Sequence, residues 1–150
     1  MAMDDIYFED ITPGTALHAG PYVVPEQELM AFAAAWDPMP MHTDKAYAAE
    51  HGGLTAPGTY LLAVKLKLVH ALPLRRTVIA SVGYDEVRFH RPVHPGEAVR
   101  LALEWTGKRR SKSKPDRGIV TGRYSLIDAT GEAVLSHLDT VLMLVRNPCA

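Results

Sequence analysis

The sequence is poor in cysteine and has almost no net charge. Cys149 has no second cysteine with which to form an internal disulfide, which indicates a reducing compartment such as the cytoplasm. The 16 basic residues nearly balance the 17 acidic ones, so the formal net charge is −1. A chain without a strong overall field is not expected to bind nucleic acid or a membrane surface.

Long hydrophobic runs and a targeting segment are also missing. Lys65 and Lys67 interrupt the best candidate for an apolar run, so no segment has the roughly 20 apolar residues of a membrane span. Residues 1–5 are acidic and lack the basic and apolar regions of a signal peptide. The length of 150 residues predicts one domain, residues 1–150, with a core of its own.

The seven histidines form no recognisable metal motif. Only His90 and His94 have a suggestive spacing, and they flank Pro92 without a partner cysteine or clustered carboxylates. We therefore expect solvated or structural histidines, with no metal and no cofactor.

The N-terminal part predicts a strand followed by helices. Residues 15–24 are apolar enough for a strand, and Gly20-Pro21 within them predicts a bulge or bend. A helix is predicted at residues 25–36, because Pro38 cannot continue it. Its apolar face, which we expect to pack in the core, consists of Leu29, Phe32, Ala33 and Trp36.

Two further helices are predicted before the chain changes character. Residues 44–50 predict a short helix. Thr55-Ala56-Pro57-Gly58 is a helix-start signature, so residues 58–72, which are mostly Leu, Ala and Val, predict a long buried helix. We expect Lys65 and Lys67 to lie along its apolar surface and to place their ammonium groups in water.

Four strands are predicted in the second half of the chain, at residues 78–89, 98–108, 118–127 and 133–145. Val99, Leu101, Leu103 and Trp105 alternate with other residues, as expected of a strand with one covered face. Short turns between the strands predict an antiparallel meander. The fold class is therefore α+β, with an antiparallel sheet wrapped around the long central helix.

The segment most suited to chemistry is residues 36–42, with the sequence Trp-Asp-Pro-Met-Pro-Met-His. Its two prolines bias Asp37 and Met39 away from helix, which predicts a rigid loop. Such a loop can aim the carboxylate of Asp37 and the imidazole of His42 at one small molecule. The motif alone also fits an ordinary surface loop, in which Asp37 caps a helix and His42 lies in water.

Four motifs follow one another along the chain: the 36–42 loop, Gly52-Gly53, Pro57-Gly58, and Arg-Phe-His-Arg-Pro-Val-His-Pro-Gly at residues 88–96. In this order the chain resembles the MaoC-like dehydratases, which include the (R)-specific enoyl-CoA hydratases and have the hot-dog fold. The resemblance covers residues 11–145. The hydratase motif is Asp-x-Asn-Pro-aliphatic-His, then five residues and a small one. It is matched by Asp37, Pro40, Met41, His42 and Ala48, with Met39 where Asn is usual.

The resemblance implies a catalytic dyad of Asp37 and His42. The two residues would hold one water for addition across a trans-2-enoyl thioester, giving an (R)-3-hydroxyacyl thioester, or for the reverse dehydration. By the same resemblance, the backbone N–H of Gly58 at the start of the central helix would form the oxyanion hole for the enolate. The implied protein is a cofactor-free hydro-lyase of fatty acid metabolism that acts on acyl-CoA or acyl-carrier thioesters. We also expect a homodimer or larger homo-oligomer, because a single sheet leaves its edges open.

Basic residues cluster in the predicted turn after residue 108. We call them, together with Lys108, the basic hairpin: Arg109, Arg110, Lys112, Lys114 and Arg117. A solvated loop and contact with the phosphates of coenzyme A are both compatible with this cluster.

Two other functions remain open. A hot-dog thioesterase commonly carries Asp or Glu on its central helix, and residues 54–72 contain neither, so the sequence disfavours this function. An acyl-thioester-binding or assembly subunit of the same fold needs no catalytic dyad at all.

Overall fold

A computed structural model describes residues 3–148 of the chain, so Cys149 lies outside the described residues. The α-helices are α1 (Glu26–Trp36), α2 (Pro40–Thr43), α3 (Lys45–Glu50) and α4 (Gly58–Val69). The strands are β1 (Asp5–Ile6), β2 (Ala16–Val23), β3 (Arg75–Arg76), β4 (Val78–Phe89), β5 (Ala98–Arg110), β6 (Arg117–Ile127) and β7 (Ala133–Leu144). None of the helices described is both long and apolar enough to cross a membrane.

Five strands form an antiparallel sheet in the order β2-β5-β6-β7-β4. The four long strands lie close to the residues at which the sequence predicted them. The predicted meander is wrong for β4, which pairs with β7 rather than with β5, the next strand along the chain. Residues 90–97 therefore cross the sheet, and β2 and β4 are its two edges. The predicted irregularity in β2 is confirmed, because its register shifts between Ala19 and Tyr22.

Helix α4 packs against the inner face of this sheet and lies at the centre of the core. Its buried apolar residues recur at helical spacing: Tyr60, Leu61, Val64, Leu68 and Val69. The alternating residues of β5 meet them and are at most 3% exposed: Val99, Leu101, Leu103 and Trp105. The predicted α+β fold, with a sheet around a central helix, is thus confirmed.

Lys65 contradicts the expectation that both lysines of α4 reach water. Its side chain is 0% exposed, and its Nζ donates a hydrogen bond to the phenol oxygen of Tyr84 at 3.1 Å. Lys67, two positions further, is exposed as expected. The prediction was wrong for Lys65 because the sheet covers the face of α4 on which this residue lies.

Trp36 also differs from its prediction. Leu29 and Ala33 of the apolar face of α1 are buried, but Trp36 at the last helical position is 77% exposed. The helical stripe therefore packs in the core only along its first two turns, and its last residue lies beyond the covering elements.

Candidate active site

Asp37 and His42 lie on the chain that leaves α1. Asp37 ends the helix with φ −152° and ψ 72°, and Met39 is extended, as expected for a residue before proline. Pro40 then begins the single turn α2, which carries His42. The expectation of a wholly non-helical loop at residues 36–42 was therefore wrong at residues 40–42.

The backbone of Met39 holds this turn in place. Its carbonyl oxygen accepts hydrogen bonds from the backbone N–H of His42 at 2.9 Å and from the hydroxyl of Thr43 at 3.0 Å. The Met39 side chain is 51% exposed. The turn is thus braced by a carbonyl and a threonine, without help from the side chain that stands where the family motif has Asn.

His42 is held in one orientation by a backbone carbonyl. Its ring is buried, and Nδ1 lies 2.6 Å from the carbonyl oxygen of Thr55. A carbonyl oxygen can only accept, so Nδ1 carries the hydrogen and Nε2 is the atom left for chemistry.

The Nε2 atom of His42 faces the carboxylate of Asp37. It lies 3.7 Å from Oδ2, which is too long for a direct hydrogen bond. Two groups at this separation can both bond to one water. The Asp37 side chain is 39% exposed and that of His42 is 8% exposed, so the pair is open to a molecule on the Asp37 side.

The segment that anchors His42 leads directly into the central helix. Thr55 donates its N–H to the carbonyl of Met41 at 3.1 Å, and Ala56 donates to the carbonyl of Val93 at 2.8 Å. Gly58 is the first residue of α4. The N–H groups of a first helical turn have no intrahelical acceptor and lie at the positive end of the helix dipole.

Gly58 is also in close contact with an aromatic ring. A Cβ added to this glycine would come within 2.5 Å of the ring of Phe89, the last residue of β4. The absence of a side chain at position 58 therefore allows Phe89 to lie over the start of α4.

The basic hairpin lies at the other end of β5 from the dyad. The segment that anchors His42 contacts the chain just before β5 through Ala56 and Val93, whereas the hairpin begins at Lys108, near the last residue of β5. The thirteen residues of β5 span about 40 Å at about 3.3 Å per residue. The dyad and the hairpin of one chain are therefore not brought together.

Several cations of the hairpin already have partners within the chain. Lys108 donates to the carbonyls of Phe8 and Glu9, and Arg117 forms a two-bond ion pair with Asp116. Arg110 lies 3.5 Å from the carboxylate of Glu9. The exposed cations whose side chains have no ion pair or hydrogen bond within residues 3–148 are Arg109, Lys112 and Lys114. Contact with the phosphates of coenzyme A stays a prediction.

The two histidines with suggestive spacing have separate partners. His90 Nε2 lies 2.7 Å from the Ser136 hydroxyl, and His94 Nδ1 lies 2.8 Å from the Leu54 carbonyl. Between residues 3 and 148, no three His, Cys, Asp or Glu side chains are arranged to hold a metal ion.

A second group of polar side chains, which the sequence reasoning missed, lies between α4 and the inner face of the sheet. We call it the inner polar cluster: Lys65, Arg76, Tyr84, Tyr124, His137 and Asp139. Burial lowers the pKa of Lys65 to about 8 and raises that of Tyr124 to about 12. Burial, and then the charge of Lys65, lowers the pKa of His137. The signal in the sequence was the pair His137 and Asp139, since the other inward positions of this strand are apolar.

Comparison with known proteins places the chain in a family. The family model described as MaoC like domain matches residues 9–126. Mesaconyl-CoA hydratase from Cereibacter sphaeroides is 29% identical over 147 residues, which cover 96% of this chain and 43% of that protein. The chain thus spans less than half the length of this relative.

Two solved structures share the architecture. The MaoC-like dehydratase from Rhodospirillum rubrum superposes with a TM-score of 0.85 at 29% identity, over 94% of this chain and 98% of that one. R-hydratase PhaJ1 from Pseudomonas aeruginosa gives a TM-score of 0.74 at 25% identity, over 92% and 85% of the two chains. The architecture of this chain, a sheet around the central helix α4, is thus the hot-dog fold. With a family model that covers most of its length, the protein belongs to the MaoC-like dehydratase family, as the sequence motifs implied.

Proposed function

We propose that the protein is a hydro-lyase that adds water to a trans-2-enoyl thioester, or removes it, in a reaction of the type enoyl-CoA to (R)-3-hydroxyacyl-CoA. The observation that carries the proposal is the pair of Asp37 Oδ2 and His42 Nε2, 3.7 Å apart, with the other ring nitrogen of His42 fixed. Family membership supports it, as does the mesaconyl-CoA hydratase named among the relatives.

In the proposed reaction, one water is held between Asp37 and His42. Its oxygen bonds to C3 of the enoyl group while one of the two residues accepts its proton, and C2 receives a proton from the dyad. The elements of water are added and nothing is oxidised or reduced. Dehydration follows the same steps in reverse. Either residue can act as the base, because an unprotonated Nε2 and a carboxylate both accept a proton.

The thioester oxygen gains negative charge when C3 is attacked, and the backbone N–H of Gly58 is the proposed donor to it. This N–H lies at the start of α4, on the segment whose Thr55 carbonyl orients His42. A fixed donor at the positive end of a helix stabilises an enolate more than the neutral thioester.

The assembly and setting of the protein are part of the same proposal. We propose a homodimer, because β4 is an edge strand whose exposed apolar residues include Val78, Ile79 and Val82. One core cluster runs from Phe8 to Val145, which supports a single domain at residues 1–150. Acyl-CoA or acyl-carrier thioesters as substrates, fatty acid metabolism and the cytoplasm stay predictions.

Hydration assays test the dyad. Wild-type protein and the variants Asp37→Asn and His42→Ala are offered crotonyl-CoA and longer trans-2-enoyl-CoA thioesters, and the loss of enone absorbance is followed. General acid–base groups typically contribute about 10²–10⁴-fold, so each variant should lose kcat by that order. The double variant should lose far less than the product of the two, because the residues act on one water.

Matched controls separate chemistry from folding. Asp44→Asn, in the same segment, keeps a side chain that can cap α3, and His51 is an exposed histidine that can be changed to Ala. Both should keep wild-type rates. A wild-type rate for Asp37→Asn would refute the dyad. A wild-type protein that binds enoyl-CoA thioesters but hydrates none would favour the non-catalytic binding subunit, and release of free thiol would favour the thioesterase.

A further inference from the structure

The inner polar cluster is assembled by the register of three neighbouring strands. Tyr84 of β4 is paired with Asp139 of β7, and His137 of β7 is paired with Tyr124 of β6. The rings of Tyr124 and His137 stack at 5.4 Å. Lys65 of α4 lies over two tyrosine rings, with its Nζ 4.3 Å from the centre of the Tyr84 ring and 5.2 Å from that of the Tyr124 ring.

The cluster leaves polar atoms unsatisfied. His137 Nε2 and Asp139 Oδ1 are buried and have no hydrogen-bond partner within the part of the chain that the structure describes. Lys65 is 0% exposed, and within residues 3–148 no carboxylate lies within 4 Å of its ammonium group. Unpaired buried polar groups are rare in native proteins, so their concentration at one place marks a candidate binding site.

A cavity of about 370 Å³ adjoins the cluster. Its polar lining includes Arg76, Tyr84 and Asp139, and its apolar lining includes Leu66 and Val69 of α4. It therefore has room for a short apolar chain that ends in a polar group.

The charges of the cluster select the sign of that polar group. Arg75, at the rim, is already paired with Asp5. Arg76 donates to the Tyr124 hydroxyl at 2.6 Å and has no carboxylate partner within residues 3–148. Two cations, Lys65 and Arg76, thus face one carboxylate, that of Asp139, which leaves an excess of one positive charge. A single negative charge would balance it.

We propose that the inner polar cluster binds a carboxylate carried on a short apolar chain. Arg76 and the Tyr84 hydroxyl, which both line the cavity, bind the carboxylate, and the Lys65 ammonium group, which donates to Tyr84, adds its positive charge. Leu66, Val69 and their neighbours pack against the apolar part of this ligand.

The carboxylate has two possible sources, the far end of the acyl group of the substrate or a free carboxylic acid. The first source rests on the proposed function. Gly58 and Lys65 lie on the same helix, separated by about two turns or about 10 Å. Strand β4 runs along this stretch, with Phe89 beside Gly58 and Tyr84 beside Lys65. An acyl group whose thioester lies at Gly58 would therefore extend toward the cluster.

A kinetic experiment tests the acyl source. Trans-2-hexenoyl-CoA is compared with the thioester of the same length in which the terminal methyl is replaced by a carboxylate. Wild-type protein should have the higher kcat/KM on the carboxylated substrate. Losing the charged hydrogen-bond partner of Tyr84 should lower the ratio of the two kcat/KM values roughly 10- to 100-fold in Lys65→Met. Lys67→Met, the same change at an exposed position of α4, should keep the wild-type ratio.

A binding experiment tests the free-acid source and does not depend on turnover. Hexanoate and the neutral 1-hexanol are titrated into wild-type protein, Lys65→Met, Arg76→Gln and Lys67→Met by calorimetry. Hexanoate should bind wild type and Lys67→Met with one site per chain, and should lose roughly 10-fold or more in affinity in the other two variants. Arg76→Gln replaces Lys65→Met in both experiments if the latter fails to fold.

The outcomes distinguish the sources and can overturn the inference. A preference for the carboxylated thioester that Lys65→Met removes identifies the acyl end. Hexanoate binding without that preference identifies a free acid. The inference is wrong if wild type shows neither, or if both are insensitive to Lys65 and Arg76. A wild-type protein that hydrates no enoyl-CoA but binds hexanoate at Lys65 overturns the proposed function and leaves the carboxylate site standing.

Discussion

The burial of Lys65 predicts that the protein becomes more stable as the pH rises from 8 to 10. Removal from water lowers the pKa of its ammonium group from 10.5 to about 8. Between these values the unfolded chain binds a proton that the folded chain does not. The free energy of unfolding rises with pH wherever the unfolded state binds more protons.

The size of the rise follows from the two pKa values. Between pH 8 and pH 10 the free energy of unfolding should increase by about 2 kcal/mol. The whole difference between the folded and unfolded pKa values of Lys65 corresponds to about 3 kcal/mol. Tyr124 sets the upper limit of the pH range over which stability rises. Burial raises its pKa to about 12, so the stability it contributes is lost only as the pH rises from 10 to 12.

Urea unfolding at pH 7, 8, 9 and 10 and fixed ionic strength measures the effect. Wild type and Lys67→Met should show the full rise, and Lys65→Met should be nearly flat because methionine has no charge to bury. At pH 7, Lys65→Met should be at least as stable as wild type, since a well-packed apolar side chain often replaces a buried charge without loss. Equal slopes for wild type and Lys65→Met would refute the burial of this ammonium group.

Three further predictions concern the surface and the start of α4. Neutralising the exposed cations of the basic hairpin should raise KM for a coenzyme A ester and leave kcat nearly unchanged. If KM is unchanged at both low and high salt, the basic hairpin is an ordinary solvated loop. Light scattering should give about twice the chain mass of 16.5 kDa, and Val82→Lys on the exposed edge of β4 should shift the protein toward monomer, whereas a monomeric wild type would contradict the dimer. Gly58→Ala should displace the ring of Phe89, which is half exposed and can move, and should lower the free energy of unfolding by about 1 kcal/mol in a thermal melt. When Phe89→Ala is present in the same chain, Gly58→Ala should no longer have this cost.

Local pattern predicted the elements of the fold but not how one strand pairs. The alternation in β5 reports which face is covered, and that information lies within a few neighbouring residues. The partner of β4 depends on which strand reaches it in space, and the pairing of Val78 with Met143 leaves no local trace in the sequence. The expectation of a meander, which assumed that neighbours in sequence pair, was wrong for this reason.

The same limit explains the two misplaced side chains. Lys65 was expected in water because a lysine on an apolar helix usually reaches an edge, and its burial depends on Tyr84, a residue of the strand whose pairing was mispredicted. Trp36 fits the apolar stripe of α1, yet nothing local shows where the covering elements end.

The candidate site was predicted to a greater extent, since its two side chains lie within one short segment. The motif singled out Asp37 and His42 as candidates, and their side chains do lie 3.7 Å apart. What the motif does not contain is the carbonyl of Thr55, which fixes the ring of His42 from a later part of the chain. Orientation of a catalytic side chain is a tertiary property, whereas its presence is a sequence property.

The pairing of β4 with β7 also has a consequence for folding during synthesis on the ribosome. Strand β4 is synthesised before β5, β6 and β7, so for that time its apolar residues can pack only against the segments already made. The sheet closes when the last strand emerges, and contacts between residues as distant as Val78 and Met143 form slowly because a long loop must close first. Incomplete chains that end before β7 should therefore expose an unpaired, aggregation-prone strand and depend on chaperones.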